Sequence, residues 1–242
     1  AGMRFVHVPY SDKHPSVSTV RKLVAAVKTH GIDLIQAFDS IPILEAYGAS
    51  VWVGKPAYGI ASMQAMPEHR LPKSRELALV NAETRERYIR EHGWSPEKLR
   101  LIVARLDCDY YRPADSDTGV LTRHGVRPDR GVVTLITRVD EDKWPTIELF
   151  ISVAERWAES PAKDTSPSFV VVGGGPLLDA LKARVAESTS EPVVAAGELM
   201  DIPAVMNESD LVLGMASTCQ QGMACGRPVI TVGREGYSGI VD

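Results

Sequence analysis

The sequence is poor in the features that mark several protein classes. It has three cysteines in 242 residues, Cys108, Cys219 and Cys225, and none of them belongs to a Cys-x-x-Cys pair. An odd number of scattered cysteines indicates neither a disulfide framework nor a structural zinc site, and it favours a reducing compartment. No apolar run approaches the ~20 residues that a transmembrane helix requires. We therefore expect a cytoplasmic protein with no transmembrane segment.

The chain also has no large excess of charge of either sign. It carries 27 Lys plus Arg against 31 Asp plus Glu, and no block of basic residues. Because nucleic-acid binding depends on clustered cations that neutralise phosphates, we expect no nucleic-acid partner. The composition, 44% hydrophobic and 24% charged, is that of a globular protein long enough for two modest domains.

Short β-branched runs alternate with amphipathic helical patterns along the chain. This alternation is typical of βαβ units and parallel sheets. It occurs in two series, so we predict an α/β protein of two Rossmann-like, doubly wound parallel-sheet domains, both incomplete, at 1–113 and 114–242. Strands are predicted at 3–8, 33–37, 56–61, 77–81 and 99–103 in the first domain, and at 132–137, 169–172, 192–195, 211–213 and 229–232 in the second.

Two cations lie just after the first strand of the second domain. Arg138 and Lys143 are five residues apart on a loop that enters a helix. Ligands of doubly wound sheets bind at the carboxyl ends of the strands. The pair could bind a diphosphate there, Arg138 through its planar fork and Lys143 as a point charge. The alternative is that both charges are solvated beside Asp140 and Asp142.

The next strand ends in three consecutive glycines. Glycines allow a ligand to approach the backbone, and free amides at a strand-to-helix turn attract anions. Gly174 and Gly175 are therefore candidate diphosphate-binding residues. Leu178 stands where a G-x-G-x-x-G fingerprint requires its third glycine, so the run is not a dinucleotide motif. A tight turn without a ligand is the alternative.

The fourth strand leads into a short helix that starts near Ser217 and Thr218. Ser217, with Gln220 three residues later, fits a capping box. The positive end of this helix would face the same sheet edge as Arg138 and the glycine turn. Ser217 and Thr218 are therefore candidate diphosphate ligands, with simple capping as the alternative for Ser217.

At these residues the sequence resembles the family-4 retaining glycosyltransferases of the GT-B fold. Residues 137–143 resemble the family's Arg and Lys that hold the donor diphosphate. Residues 171–176 resemble its Val-Gly-x-Gly-Pro turn, and residues 221–230 its Glu-Ala-Met-Ala-x-Gly-x-Pro-Val-Val segment. Residues 196–199 resemble the segment beside the nucleobase. The resemblance thus implies nucleoside-binding roles for Gly197, Glu198, Leu199 and Gln221.

The resemblance also implies an activity. A sugar would pass from a nucleotide diphosphate sugar to a hydroxyl of an unidentified sugar, lipid-linked or small-molecule acceptor, with retention of configuration. The acceptor would bind on the side of the N-terminal domain and the donor on the C-terminal domain. No metal and no cofactor is implied beyond the nucleotide sugar co-substrate, because Arg138, Lys143 and helix-terminal amides would neutralise the leaving diphosphate. Such an enzyme would be cytoplasmic, either free or peripheral to the inner face of the membrane.

The sequence departs from the family at the donor ribose. Gln221 replaces the glutamate that usually meets the ribose, and a glutamine can hydrogen-bond a hydroxyl but supplies no charge. No carboxylate pair has a spacing suited to acid and base, so we assign no catalytic base. Three alternatives stay open: a related GT-B enzyme such as a sugar-nucleotide epimerase or a phosphorylase, a catalytically silent sugar-nucleotide-binding homologue, and a nicotinamide-dependent Rossmann protein.

Overall fold

The computed structural model describes residues 5–8, 15–61, 71–102, 106–115, 118–127, 129–160, 166–187, 193–233 and 236–241. The chain forms two compact units, Ala1–Arg105 and Leu106–Asp242. The sequence-based division lies between residues 113 and 114, whereas residues 106–115 cluster with the second unit. The side chain of Asn207 helps to hold them there: its Nδ2 donates to the Arg112 carbonyl and its Oδ1 accepts from the Ala114 amide, both at 3.1 Å.

Glu208 fastens the next part of this segment to the second unit. Its carboxylate accepts hydrogen bonds from the Thr118 hydroxyl and from the amides of Val120 and Leu121, the latter two at 2.8 and 2.7 Å. Burial raises the pKa of Glu208, but these hydrogen bonds and the charge of Arg123 outweigh it and hold the pKa below its ordinary value. The segment is therefore held by an ionised side chain.

The elements of the first unit are α1 (Val17–His30), β1 (Ile35–Phe38), α2 (Ser40–Val53), β2 (Ala57–Ala61), β3 (Leu77–Leu79), α3 (Ala82–Arg90) and β4 (Leu99–Leu101). The four strands form a parallel sheet in the order β1-β2-β3-β4. Helix α1 begins where the Ser16 hydroxyl accepts from the Ser18 amide and ends at the left-handed Gly31. The core between sheet and helices includes fully buried Ile43, Leu77 and Tyr88.

The elements of the second unit are β5 (Val132–Ile136), α4 (Trp144–Ala158), β6 (Ser168–Val172), α5 (Leu178–Ala186), β7 (Val194–Gly197), α6 (Ile202–Asn207), β8 (Leu211–Gly214), α7 (Ser217–Ala224), β9 (Val229–Gly233) and β10 (Gly236–Val241). The strands form a six-stranded sheet in the order β10-β9-β8-β5-β6-β7. Neighbouring strands are parallel except β10, which runs antiparallel to β9. The apolar stripe of α4, which includes Ile147, Phe150 and Ile151, is buried against the sheet.

These parallel sheets with intervening helices confirm the predicted α/β class. The predicted strand at 3–8 lies partly outside the described residues, and residues 5–8 belong to no strand. Strand β10 was not predicted, since its sequence, with two glycines, has no alternating pattern. In the part of the chain that the structure describes, no helix is both long and apolar enough to cross a membrane.

Candidate functional site

The winding of the second unit changes direction at β5. Strands β6 and β7 follow one another on one side of β5, whereas β8 and β9 lie on its other side. The loops that leave β5 and β8 therefore diverge, and open α/β sheets bind ligands in the crevice that results at the carboxyl ends of their strands. A cavity of about 540 Å³ lies at this point. Its volume is within the range of small-molecule sites.

The cavity brings together residues from four successive strand ends. Arg138 follows β5, Gly174 and Gly175 follow β6, Glu198 and Leu199 follow β7, and Thr218 lies in the first turn of α7 after β8. These segments are far apart in sequence but adjacent in the sheet. Six of the ten predicted site residues thus line one cavity: Arg138, Gly174, Gly175, Glu198, Leu199 and Thr218.

Backbone hydrogen bonds fix the loops around this cavity. The Val139 amide donates to the Gly174 carbonyl at 2.9 Å, and the Leu177 amide donates to the Val139 carbonyl at 3.1 Å. On the other side of the turn, the Gly173 amide donates to the Gly197 carbonyl at 2.8 Å. The position of Arg138 is therefore set by the glycine turn, and the turn is set by the end of β7.

The glycines of this turn are required first by packing. Gly173 and Gly175 have φ values of 151° and 154°, which side chains rarely adopt. A Cβ at Gly173 would collide with the Thr137 carbonyl oxygen, and one at Gly175 with that of Val139. Glycine is therefore needed at both positions for the Arg138 loop to approach the turn, whether or not a ligand is bound.

The two predicted cations have different surroundings. The Arg138 guanidinium is 74% exposed, and its Nη2 lies 3.3 Å from Oδ2 of Asp140. The Lys143 side chain is only 12% exposed, and its Nζ lies 2.7 Å from Oδ2 of Asp142. Lys143 is not among the described residues that line the cavity. The structure therefore places Arg138 in the lining of the cavity and holds the mostly buried Lys143 in an ion pair with Asp142.

The start of α7 differs from the sequence prediction. Ser217 is the first helical residue and Ala216 is the N-cap, without a side-chain hydrogen bond. The predicted capping box at Ser217 is therefore wrong, because the helix starts one residue earlier than that motif requires. Ala216 has φ 51° and ψ −120°, a strained conformation for a residue with a side chain. A Cβ at Gly214 would collide with Thr218, so this glycine lets Thr218 pack against the end of β8.

The predicted nucleoside-binding residues are also divided. The Glu198 carboxylate is exposed and lines the cavity beside the apolar Leu199. Gly197 contributes its carbonyl to the glycine turn, and Gln221 lies one turn into α7. Among the described residues that line the cavity, neither Gly197 nor Gln221 occurs.

Sequence reasoning missed the apolar floor of the cavity. Ile136, Val172 and Ile202 line it together with Thr137 and Gly173. Ile136 and Val172 end buried strands, and a residue at a strand end carries no separate pattern that distinguishes a ligand contact from a core contact. The available signal for these two was their position shortly before Arg138 and the glycine turn.

A second cavity of the same unit has a different chemistry. It has a volume of about 460 Å³ and lies between α4 and the strands β5, β8 and β9. Among the residues that the structure describes, its lining includes Leu149, Trp157 and Ile230 and no charged side chain. An anion would have no partner there, so the cavity at the end of β5 is the candidate site.

The chain is similar in sequence to one curated protein, a D-inositol 3-phosphate glycosyltransferase from Rhodococcus opacus (strain B4). The two are 27% identical over 191 residues, which cover 70% of this chain and 40% of the relative. The chain thus spans well under half of that relative's length. No protein-family model matches the sequence.

Solved structures share the fold. A glycosyltransferase from Rickettsia africae ESF-5 aligns with a TM-score of 0.66 and 15% identity, over 94% of this chain and 65% of that chain. Anabaena HepE in complex with UDP-glucose aligns with a TM-score of 0.66 and 21% identity, over 89% and 63%. A candidate UDP-N-acetylglucosamine 2-epimerase from Listeria monocytogenes aligns with a TM-score of 0.57 and 13% identity, over 88% and 60%. The predicted GT-B-like α/β fold class is therefore confirmed.

Proposed function

We propose that this chain belongs to a glycosyltransferase that moves a sugar from a nucleotide diphosphate sugar to a hydroxyl acceptor. The observation that carries the proposal is the cavity at the end of β5, where Arg138, the glycine turn and the first turn of α7 converge. Each of these features favours an anion. Their convergence from separate strand ends favours a bound diphosphate over solvated surface charges.

Two cations at the end of β5 could hold a diphosphate leaving group. Arg138 is exposed and can turn from Asp140 toward a ligand, whereas Lys143 must exchange its contact with Asp142 for a phosphate oxygen. The Ser217 hydroxyl does not cap α7, and although Ser217 is not among the described residues that line the cavity, it precedes Thr218, which does; its contact with the ligand belongs to the proposal. Together with the amides at the start of α7, these groups would stabilise the negative charge that develops as the sugar departs.

The finer assignment rests on the sequence resemblance. Membership of family 4, retention of configuration and independence from metal belong to the proposal. So do the roles of Gly197, Glu198, Leu199 and Gln221 toward the nucleoside. The curated relative is a glycosyltransferase, and the Anabaena protein forms a complex with UDP-glucose. Both support the proposal that this chain binds a nucleotide sugar. The acceptor is proposed for the first unit and the donor for the second.

A second candidate function is favoured by one comparison. The fold is shared with a candidate UDP-N-acetylglucosamine 2-epimerase, which would bind a nucleotide sugar without an acceptor. The two functions differ in what happens to the donor alone. A transferase leaves most of the donor unchanged or slowly hydrolyses it, whereas an epimerase converts it to the epimeric sugar nucleotide.

Binding of nucleotide diphosphates tests the proposal directly. We expect UDP, GDP, ADP or dTDP, or their sugar derivatives, to raise the melting temperature of the protein. A ligand at 100 times its Kd adds about 2.7 kcal/mol, which corresponds to roughly 5 to 10 °C for a chain of this size. NADH serves as the comparison for a nicotinamide-dependent protein. No response to any nucleotide diphosphate, or a response to NADH alone, would contradict the proposal.

A further inference from the structure

The outer edge of β1 has no neighbouring strand. β1 lies at one end of the order β1-β2-β3-β4, and within the described residues no strand pairs with its other side. The Ile35 amide donates to the Pro56 carbonyl at 3.0 Å, and the Asp39 amide likewise donates toward β2 at 3.1 Å. Alternate residues of a parallel strand bond to the same neighbour, so Gln36 and Phe38 direct their backbone amides and carbonyls away from β2.

A groove follows this edge between β1 and α1. It consists of a cavity of about 710 Å³ toward the amino end of β1 and a cavity of about 270 Å³ toward its carboxyl end. Leu23 of α1 and Ile35 and Gln36 of β1 line both cavities, so the two adjoin. Most of the described lining is apolar. The groove therefore suits a segment that presents apolar side chains to it.

Residues 5–8 of the same chain lie along this groove. Val6 lines the cavity at the amino end of β1 together with Leu34, and Val8 lines the cavity at the carboxyl end together with Phe38. The segment thus runs in the same direction as β1. Residues two apart in an extended chain point to the same side, which is the spacing of Val6 and Val8. The structure nevertheless assigns residues 5–8 to no strand.

The apolar side chains on both sides of this edge favour pairing. Phe5 and Val6 are 88% and 61% exposed, and Leu34 and Phe38 are 56% and 58% exposed. Pairing would remove part of this surface from water, which is favourable. Helix α1 separates residues 5–8 from β1 in sequence, so that two parallel strands would be joined by a crossover helix, as in a βαβ unit.

We propose that residues 5–8 form a fifth strand of the first sheet, parallel to β1 at its free edge. The positions of the two valines along the groove set the register. Val6 lies opposite Ile35, and Val8 lies opposite Ala37, so that both valines face α1. The strand closes this edge whether or not the protein is a glycosyltransferase.

This register gives the outward backbone groups of β1 their partners. The Gln36 amide donates to the Val6 carbonyl, and the Phe38 amide donates to the Val8 carbonyl. The Gln36 carbonyl accepts from the Val8 amide. An open edge strand is a template for pairing with another chain. The fifth strand therefore keeps β1 from pairing with a second molecule.

Amide hydrogen exchange of the whole chain, followed by NMR, tests the proposal. In wild type we expect the amides of Gln36 and Phe38 to exchange at least about tenfold more slowly than in an unstructured peptide. Val6→Asp places a carboxylate in the apolar groove and should abolish this protection. The control His7→Asp introduces the same charge on the opposite side of the segment and should retain it. The Ile35 amide, which bonds to β2, should stay protected in all three proteins and verifies that the sheet is folded.

Four results would overturn the proposal. The first is rapid exchange of Gln36 and Phe38 in wild type, and the second is protection that survives in folded Val6→Asp. The third is an equal loss of protection in His7→Asp. The fourth is protection that falls as wild type is diluted, since a second copy would then cover the edge. If Val6→Asp also exposes Ile35, the milder Val6→Thr decides: unchanged protection of Gln36 and Phe38 beside a protected Ile35 would refute the fifth strand.

Discussion

Replacing Arg138 by alanine separates ligand binding from stability. The Arg138 side chain is 74% exposed, and among the described residues its guanidinium pairs with Asp140 at 3.3 Å. Asp140 also accepts the backbone amide of Lys143 at 3.0 Å, so its carboxylate keeps a partner when the guanidinium is removed. Exposed ion pairs contribute at most about 1 kcal/mol, and we therefore expect little change in the free energy of unfolding. A charge-assisted contact with a phosphate is worth roughly 1.5 to 3 kcal/mol, so the affinity for UDP or GDP should fall by about 10- to 150-fold.

The chain offers a closely matched control for this variant. Arg127 is also exposed and lies 3.2 Å from an aspartate two residues later, Asp129, but it is not among the residues that line the cavity. Arg127→Ala should leave nucleotide affinity unchanged. Calorimetric titration of a diphosphate and of the corresponding monophosphate into the three proteins tests the assignment, and the loss in Arg138→Ala should be larger for the diphosphate. Equal affinities in all three proteins, for a nucleotide that wild type binds, would refute the role of Arg138.

Three further predictions concern the surroundings of the site and the stability of the second unit. Lys143→Ala should weaken diphosphate binding about tenfold and cost about 1 kcal/mol of stability, because its side chain is only 12% exposed. The control Lys55→Ala breaks an ion pair with Asp33 of the same length, 2.7 Å, in which the lysine side chain is 41% exposed, and it should leave nucleotide affinity unchanged. Equal losses of affinity in Lys143→Ala and Lys55→Ala would contradict the assignment of Lys143 to the diphosphate. Glu208→Gln should destabilise the protein by about 1 to 2 kcal/mol at neutral pH, since an amide nitrogen cannot accept a hydrogen bond. Because the pKa of Glu208 in the folded protein lies below its ordinary value of 4.5, this stabilisation is present above pH 4.5 and is lost as the pH falls through the folded pKa. Denaturant titrations measure the free energy of unfolding of wild type and Glu208→Gln at several pH values. A difference between the two proteins that does not change with pH would disprove the prediction. Ala216→Gly should raise the stability by about 1 kcal/mol, because relief of roughly 1 to 3 kcal/mol of strain exceeds the entropic cost of glycine. The melting temperature should rise by roughly 2 to 4 °C, whereas the helical control Ala183→Gly should lower it; a decrease in both would show that Ala216 is not strained.

The alternation of strand and helix patterns was sufficient to predict the fold class. Buried parallel strands read as continuous apolar runs, and crossover helices show a period near 3.6 residues, so both are visible in one dimension. The same rule, together with the binding of ligands at strand ends, pointed to Arg138 and to the glycine turn. Edge strand β10 was missed because it pairs on one side only and its glycines interrupt any pattern.

The tertiary structure decided which of the candidate residues share a cavity. The sequence does not distinguish Arg138 from Lys143, but in the folded chain Arg138 lines the cavity whereas Lys143 pairs with Asp142. Ser217 fits a capping motif in sequence, yet the strained turn at Ala216 moves the helix start by one residue. The position of Glu198 over Gly174 depends on the pairing of β6 with β7, which joins residues that are 24 positions apart. A sequence determines periodicity and residue chemistry locally, whereas the direction of a side chain depends on contacts between distant segments, and those exist only in the folded chain.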